Sequence, residues 1–327
     1  RLSTYNIPRI ISCSEMTDDY LVLPRGCEDA VRDILTRHDV KITISDKTNH
    51  GHNISVTFRG ELREERQKAM EAFVGHNIGT LSATTAFGKT VFAIGMIAKR
   101  KVNTLILVHN KALLEQWKER LETFLKIDEA IEEPKTKRGR KKKSSVIGCL
   151  YAGKNSLHGL IDIALIQSCL SDGEVRPFVK DYGMVIVDEC HHVSSVSFEQ
   201  VLRQVTATYV YGLTATPIRK DGHQPIIFMQ CGKIRFTSDA KSQMEEQGFK
   251  RLLIPKFTTF RNITSDSKTY VQVTQDLSED KVRNEFIIED VKAAIQKGRT
   301  PLVLTTRTAH VRALAHMLIP FADHVIQ

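Results

Sequence analysis

Nowhere in this chain do two cysteines stand as a CxxC pair. The six present, Cys13, Cys27, Cys149, Cys169, Cys190 and Cys231, are widely scattered. That scatter argues against a zinc site or a disulfide framework and points to a reducing compartment, cytoplasmic or nuclear. No stretch approaches the roughly 18 consecutive apolar residues of a membrane span, so a membrane is not an expected partner. The first residue is Arg1, and no charged-then-apolar leader follows it. The chain therefore reads as a piece of a polypeptide rather than a secreted precursor. No internal repeat is visible.

What is there suffices for two to three domains. The 327 residues are 41% hydrophobic and 26% charged, an ordinary soluble balance. The net charge of +9 is misleading, because seven basic residues fall within Lys135–Lys143 and the remainder is nearly neutral. Three readings fit that run: a solvated loop, a non-specific phosphate contact that salt would weaken, or a nuclear-localisation signal in a nucleated host.

Residues 1–60 read as a small α/β domain, with a short apolar run at Tyr20–Leu23, a helix at Glu28–His38, and strands at Lys41–Ser45 and Asn53–Phe58. From 61 to 235 the pattern becomes short apolar strands alternating with helices. Strands are expected at Gly79–Ala83, Thr104–Val108, Ile161–Leu165, Met184–Val187 and Tyr209–Leu213. Helices are expected at Leu62–His76, Lys89–Lys99, Lys111–Leu125 and Ser197–Val205. Such alternation implies a parallel sheet covered on both faces. The polar, basic insert 128–145 interrupts it as a long surface loop. Residues 236–327 open with a linker. A helix at Ser278–Lys297, a strand at Pro301–Thr305 and a helix at Ala309–Leu318 then begin a further α/β domain.

Three motifs carry chemistry. Ala83, Thr84, Thr85, Ala86, Phe87, Gly88, Lys89 and Thr90 form an AxxxxGK[ST] P-loop directly after a strand and opening a helix. There backbone N–H groups would wrap the phosphates of ATP, Lys89 would reach the β and γ phosphates, and the Thr90 hydroxyl would ligate Mg²⁺. Val185–Val187 then runs into Asp188, Glu189, Cys190 and His191. This puts two carboxylates at the carboxyl edge of a parallel sheet, where Asp188 would hold Mg²⁺ and Glu189 would polarise the attacking water. Third, Gly212-Leu-Thr-Ala-Thr-Pro217 ends another strand. Each motif alone has a bland reading as a turn; their order makes the bland readings poor.

That order resembles the DEAD/DEAH-box helicases of superfamily 2, from about Leu62 to the C-terminus. Arg219-Lys-Asp221 is similar to an element of the group holding the XPB repair helicase and the motor subunits of type I and type III restriction enzymes. The strings Ala86–Thr90, Ile161–Ser168 and Ile226–Gly232 resemble the helicase half of TOTE-type primase–helicase proteins. The resemblance implies a RecA-like ATP-binding domain and an ATP-driven motor on nucleic acid, DNA favoured over RNA, with ATP and Mg²⁺ between two lobes. It implies that His191, Thr214, Ala215 and Thr216 couple ATP to the strand. Nucleic acid would be met by His109, Asn110, Gln167, Ser168, Arg219 and Lys220. A primase or nuclease module would lie elsewhere in the parent protein. Trp117, at helical spacing from Leu113, reads as core rather than base-stacking.

Departures qualify this. Ala86 stands where a mid-loop Gly is usual. The adenine-reading Gln of a Leu-Arg-Pro-x-Gln pattern is out of register: Leu62 and Arg63 are followed by Arg66 in its slot and Gln67 one residue late. Arg63 and Gln67 are thus the candidates for the base, and selectivity for ATP is in doubt. The Gly-rich and Gln-x-x-Gly-Arg-x-x-Arg motifs of a second lobe are absent, and with them an arginine finger worth on the order of 10³–10⁵ in rate. As it stands, the chain is expected to bind ATP and to hydrolyse it poorly. A rival of a different class is a nucleotide-gated binding scaffold without unwinding activity.

Overall fold

The computed structural model describes residues 13–129, 146–191, 196–216, 224–238, 252–260 and 269–326. The chain divides into two compact units, Arg1–Phe249 and Lys250–Gln327.

The first unit opens with a two-strand hairpin, β1 (Glu15–Met16) and β2 (Leu21–Val22), and the helix α1 (Glu28–Arg37). β3 (Val56–Phe58), α2 (Glu64–Val74), β4 (Ile78–Ser82), α3 (Lys89–Arg100), β5 (Thr104–Val108), α4 (Lys111–Phe124) and β6 (Leu125–Ile127) follow. After the insert come β7 (Ile147–Tyr151), β8 (Lys154–Asn155), β9 (Ile161–Leu165), a small hairpin of β10 (Leu170–Ser171) and β11 (Glu174–Val175), and β12 (Met184–Val187). α5 (Val196–Gln204), β13 (Tyr209–Thr214), α6 (Gln224–Cys231) and β14 (Ile234–Thr237) complete the described elements.

The main sheet has eight strands in the order β14-β4-β13-β12-β5-β9-β7-β8. All neighbours are parallel except the β7–β8 edge. Successive residues of a strand point to opposite faces, and here both faces are buried. Ile106 and Ile186 meet Phe73, Phe92, Ile94, Trp117 and Leu121 from α2, α3 and α4. Leu105, Leu107, Val185 and Val187 meet Phe198, Val201 and Leu202 from α5 and Ile227 from α6. Double burial explains why these strands read as continuous apolar runs rather than alternating ones. The α/β architecture expected of the sequence, a mostly parallel sheet covered on both faces, is the one found.

Two local expectations fail. Lys41–Ser45 forms no strand: Ile42 and Ile44 are exposed, and among the described residues no strand pairs with it. The Asn53–Phe58 strand shortens to β3, which pairs not with its neighbour in sequence but with β6. Residues 49–54 are stitched to the main body instead, through bridges Asn49–Ala207 and Asn53–Val102. Gly51 sits there at φ +65°, so close to Gly183 that an added Cβ would lie 2.6 Å from the Gly183 nitrogen. The Asn103 side chain anchors the crossing, accepting from His52 and Gly183 N–H and donating to Gly159 and Asp181 carbonyls.

Among the described residues the second unit carries three α-helices, Tyr270–Glu279, Lys281–Gln296 and Thr308–Leu318, of which the last two build a small core of Ile288, Val291, Leu314 and Leu318. Asp280 divides the expected Ser278–Lys297 helix, because its side chain accepts from Arg283 N–H and caps a new helix. Pro301–Thr305 forms no strand. Leu302 and Leu304 are 82% and 83% exposed, and among the described residues no strand lies beside them in this unit.

Candidate functional site

In a parallel sheet every strand ends on the same side, and the loops leaving those ends share one edge. Five strands deliver the predicted motifs to that edge. β4 leads into Ala83–Thr90, β13 into Thr214–Thr216, and β12 into Asp188–His191. β5 leads into His109 and Asn110, and β9 into Gln167 and Ser168.

The loop after β4 turns through a short 3₁₀ segment, Thr85–Phe87, to Gly88 at φ +82°. A side chain there would be strained, and an added Cβ would stand 2.8 Å from Arg66 Nη2. Lys89 is only 7% exposed; its Nζ lies 3.6 Å from Glu189 Oε1 and donates to the Ala83 carbonyl at 3.4 Å. The loop's base is fixed on two sides. Ala83 N–H donates to the Thr214 carbonyl at 2.9 Å, and Thr84 N–H donates to Ser238 Oγ at 3.2 Å.

Asp188 is 5% exposed. One of its oxygens accepts from the Trp117 indole N–H at 2.7 Å, the other from the Glu189 N–H at 3.0 Å. Burial pushes its pKa up; the indole hydrogen bond opposes that, and the neighbouring Glu189 adds to it. Glu189 follows at φ +47°, a left-handed conformation uncommon for a residue with a side chain. In that turn its carboxylate reaches Lys89 on one side and His191 Nδ1, at 3.2 Å, on the other. His191 Nδ1 also lies 3.2 Å from Thr214 Oγ1, which in turn accepts from Thr216 N–H at 3.1 Å. A series of close polar contacts thus runs from the Lys89–Glu189 ion pair through His191 to the Thr-Ala-Thr turn.

The residues suit a magnesium nucleotide. Left-handed Gly88 and buried Lys89 at a helix start have the arrangement a phosphate would need. Thr90 and Asp188 offer the hard oxygen donors Mg²⁺ prefers. Among the described residues no group of three or more His, Cys, Asp or Glu could hold a metal, so the cation would lean on phosphate oxygens and water.

On the adjoining strand ends, Asn110 caps α4 by accepting from Leu113 N–H at 2.9 Å, and its amide meets His109 Nε2 at 2.9 Å. Gln167 Nε2 donates to the His109 carbonyl at 3.3 Å. Asn110 and Gln167 are exposed, His109 and Ser168 half-buried. Arg219 and Lys220, like the basic run Lys135–Lys143, lie outside the described residues.

Of the two base-reading candidates, Arg63 is exposed at the start of α2, and Gln67 folds back to donate to the Leu62 carbonyl at 2.9 Å. The side chain facing the P-loop is Arg66, whose Nε donates to the Phe87 carbonyl at 2.7 Å. Helical spacing carried that signal, since Arg66, Ala69 and Phe73 share the inward face of α2. Two further residues carried none. Ser238 follows an edge strand with no motif, and Trp117 meets its partner across 71 residues of sequence.

Comparison with known proteins adds the family. Residues 59–219 match the model of the type III restriction enzyme, res subunit. The viral protein 109L of Invertebrate iridescent virus 3, which carries a helicase name, is 32% identical over 203 residues, 60% of this chain and 57% of the relative. The DNA 3'-5' translocase XPB2 of Sulfurisphaera tokodaii is 29% identical over 174 residues, 53% of this chain and 35% of the relative. The chain therefore spans about half the length of the first of these and about a third of the second. The UvsW helicase from Bacteriophage T4 superposes with a TM-score of 0.48 at 16% identity, covering 68% of this chain and 81% of that one.

Proposed function

Since this chain belongs to the superfamily 2 helicases of the XPB and type III restriction group, we propose that it is the ATP-binding part of a motor that moves along DNA. The observation that carries the proposal is the meeting of Lys89 with Glu189, 3.6 Å apart, beside buried Asp188. Three motifs distant in sequence converge there on one sheet edge.

Lys89 would exchange its contact with Glu189 for the β and γ phosphates, freeing that carboxylate to orient the attacking water and take its proton. Thr90 and Asp188 would hold Mg²⁺, which when bound neutralises charge on the phosphates. His191 touches both Glu189 and Thr214, so a change at the phosphates is passed to the Thr214–Thr216 turn. His109, Asn110, Gln167 and Ser168 would rest on the strand, joined by Arg219 and Lys220. ATP-driven closure of a second lobe, which residues 236–327 would begin, is the proposed stroke. DNA is favoured because relatives such as XPB2 carry DNA in their names. The TOTE-like strings support a parent protein with a primase or nuclease module as partner.

The test is steady-state ATP turnover with and without single-stranded DNA, duplex DNA and RNA, beside Glu189→Gln. A slow turnover raised by DNA, and reduced about 10²–10⁴-fold in the variant, is expected. Stimulation by RNA alone would make it an RNA helicase. Equal, negligible turnover in both proteins with ATP still bound would favour the nucleotide-gated scaffold.

A further inference from the structure

Asp188 does not choose its own orientation. It sits at the end of β12 with almost no solvent to hydrate it, and each of its two oxygens already has a donor. One donor is the backbone N–H of the next residue, which any sequence would supply. The other is the indole N–H of Trp117, a side chain that is 0% exposed and packed in the core beside Leu114 and Leu121 on α4. A buried tryptophan needs an acceptor for its N–H, and many acceptors would serve. Here the acceptor is the carboxylate that the functional reading assigns to Mg²⁺, at the short distance of 2.7 Å, as befits a charge-assisted bond.

We propose that Trp117 is a positioning residue for the metal-holding carboxylate: its N–H fixes the tilt of Asp188 and leaves the free lone pairs aimed for a cation. The inference rests on the reading of the site as a magnesium-nucleotide site. It goes beyond a packing role, because packing would be kept by a phenylalanine while the bond would not. Groups that orient a metal's ligands typically set affinity as strongly as about ten- to hundred-fold. Trp117 is also the one tryptophan in the sequence, so the emission of this chain reports on the surroundings of Asp188 alone.

The experiment uses the whole chain with ATP and Mg²⁺ as probes, and reads binding rather than turnover. Calorimetric titration gives the Mg²⁺ concentration that half-saturates the tightening of ATP binding, and the ATP affinity in EDTA. Trp117→Phe should raise the Mg²⁺ requirement about ten- to hundred-fold while leaving the metal-free affinity unchanged. In the wild type, emission should change with ATP and Mg²⁺ together but not with ATP in EDTA, and Asp188→Asn should abolish that response. A folded Trp117→Phe with the wild-type Mg²⁺ requirement would overturn the proposal. Should that variant fail to fold, emission decides: a response that survives Asp188→Asn, or a wild type that ignores Mg²⁺, overturns it equally. Absence of ATP binding by the wild type under any condition would defeat the underlying reading and the inference with it. The metal-free titration tells that failure apart from a failure of Trp117 alone.

Discussion

Strands β4, β13 and β12 end in buried side chains in contact with one another; β5 and β9, beside them in the same sheet, end in side chains that are exposed or half-buried. Lys89, Asp188 and Thr214 are 7%, 5% and 0% exposed, whereas Asn110 and Gln167 are open. The difference reflects what each half would meet. Three phosphates and a cation need fixed, desolvated charges aimed at a small volume, and burial strengthens each of them. A nucleic-acid backbone needs a broad, wet, tolerant surface. Burial has its own cost, seen in the raised pKa of Asp188.

The largest expected effect breaks the buried half. Lys89→Ala should lower ATP turnover by roughly 10²–10³-fold without changing DNA affinity in the absence of nucleotide, as steady-state kinetics and anisotropy would show. A smaller effect sharpens the cost of burial. Asp188→Asn should raise the stability of the ligand-free chain at neutral pH by about 0.5–2 kcal/mol. A carboxyl whose folded pKa is raised penalises the fold once it ionises, so that gain should fade in thermal melts below the ordinary carboxyl range, where wild-type Asp188 is neutral too.

On the open half, Gln167→Ala should weaken DNA binding by about two- to ten-fold and leave ATP affinity alone. Asn110→Ala should do the same and also cost about 1 kcal/mol of stability through the lost cap of α4, read in denaturant melts. Smallest is a control remote from both. Burial pushes Asp29 up, but hydrogen bonds and charge from Lys233 and Arg235 outweigh it and hold the carboxyl below its usual range. Asp29→Asn should therefore cost about 0.2–1 kcal/mol above the ordinary aspartate pKa. The difference should vanish as pH falls through the lowered one, with nucleotide and DNA affinities unaffected.

The sequence made the buried half legible where its residues are contiguous. A P-loop, an Asp-Glu pair at a strand end and Thr-Ala-Thr are short strings, and each follows a short, largely apolar strand of the kind a doubly covered sheet calls for. It hid what depends on distant partners. Trp117 read as core, which it is, but its bond to Asp188 cannot be seen from helical spacing. Ser238 had no motif to announce it. Gln67 carries the residue type of the Leu-Arg-Pro-x-Gln pattern, while the inward face of α2 belongs to Arg66. Lys41–Ser45 and Pro301–Thr305 had the composition of strands but, among the described residues, have no strand to pair with, and composition cannot supply one.

The measurement that tests the account most directly is DNA affinity as a function of bound nucleotide. Within the buried half His191 joins Glu189 to Thr214, and any coupling of that half to the open one must be reciprocal. We expect Glu189→Gln, loaded with ATP and Mg²⁺, to bind single-stranded DNA with an affinity at least about five-fold different from the nucleotide-free protein, and Thr214→Val to erase that difference while still binding ATP. Identical DNA affinity with and without ATP would contradict the account, leaving two neighbouring sites that share a sheet edge and nothing else.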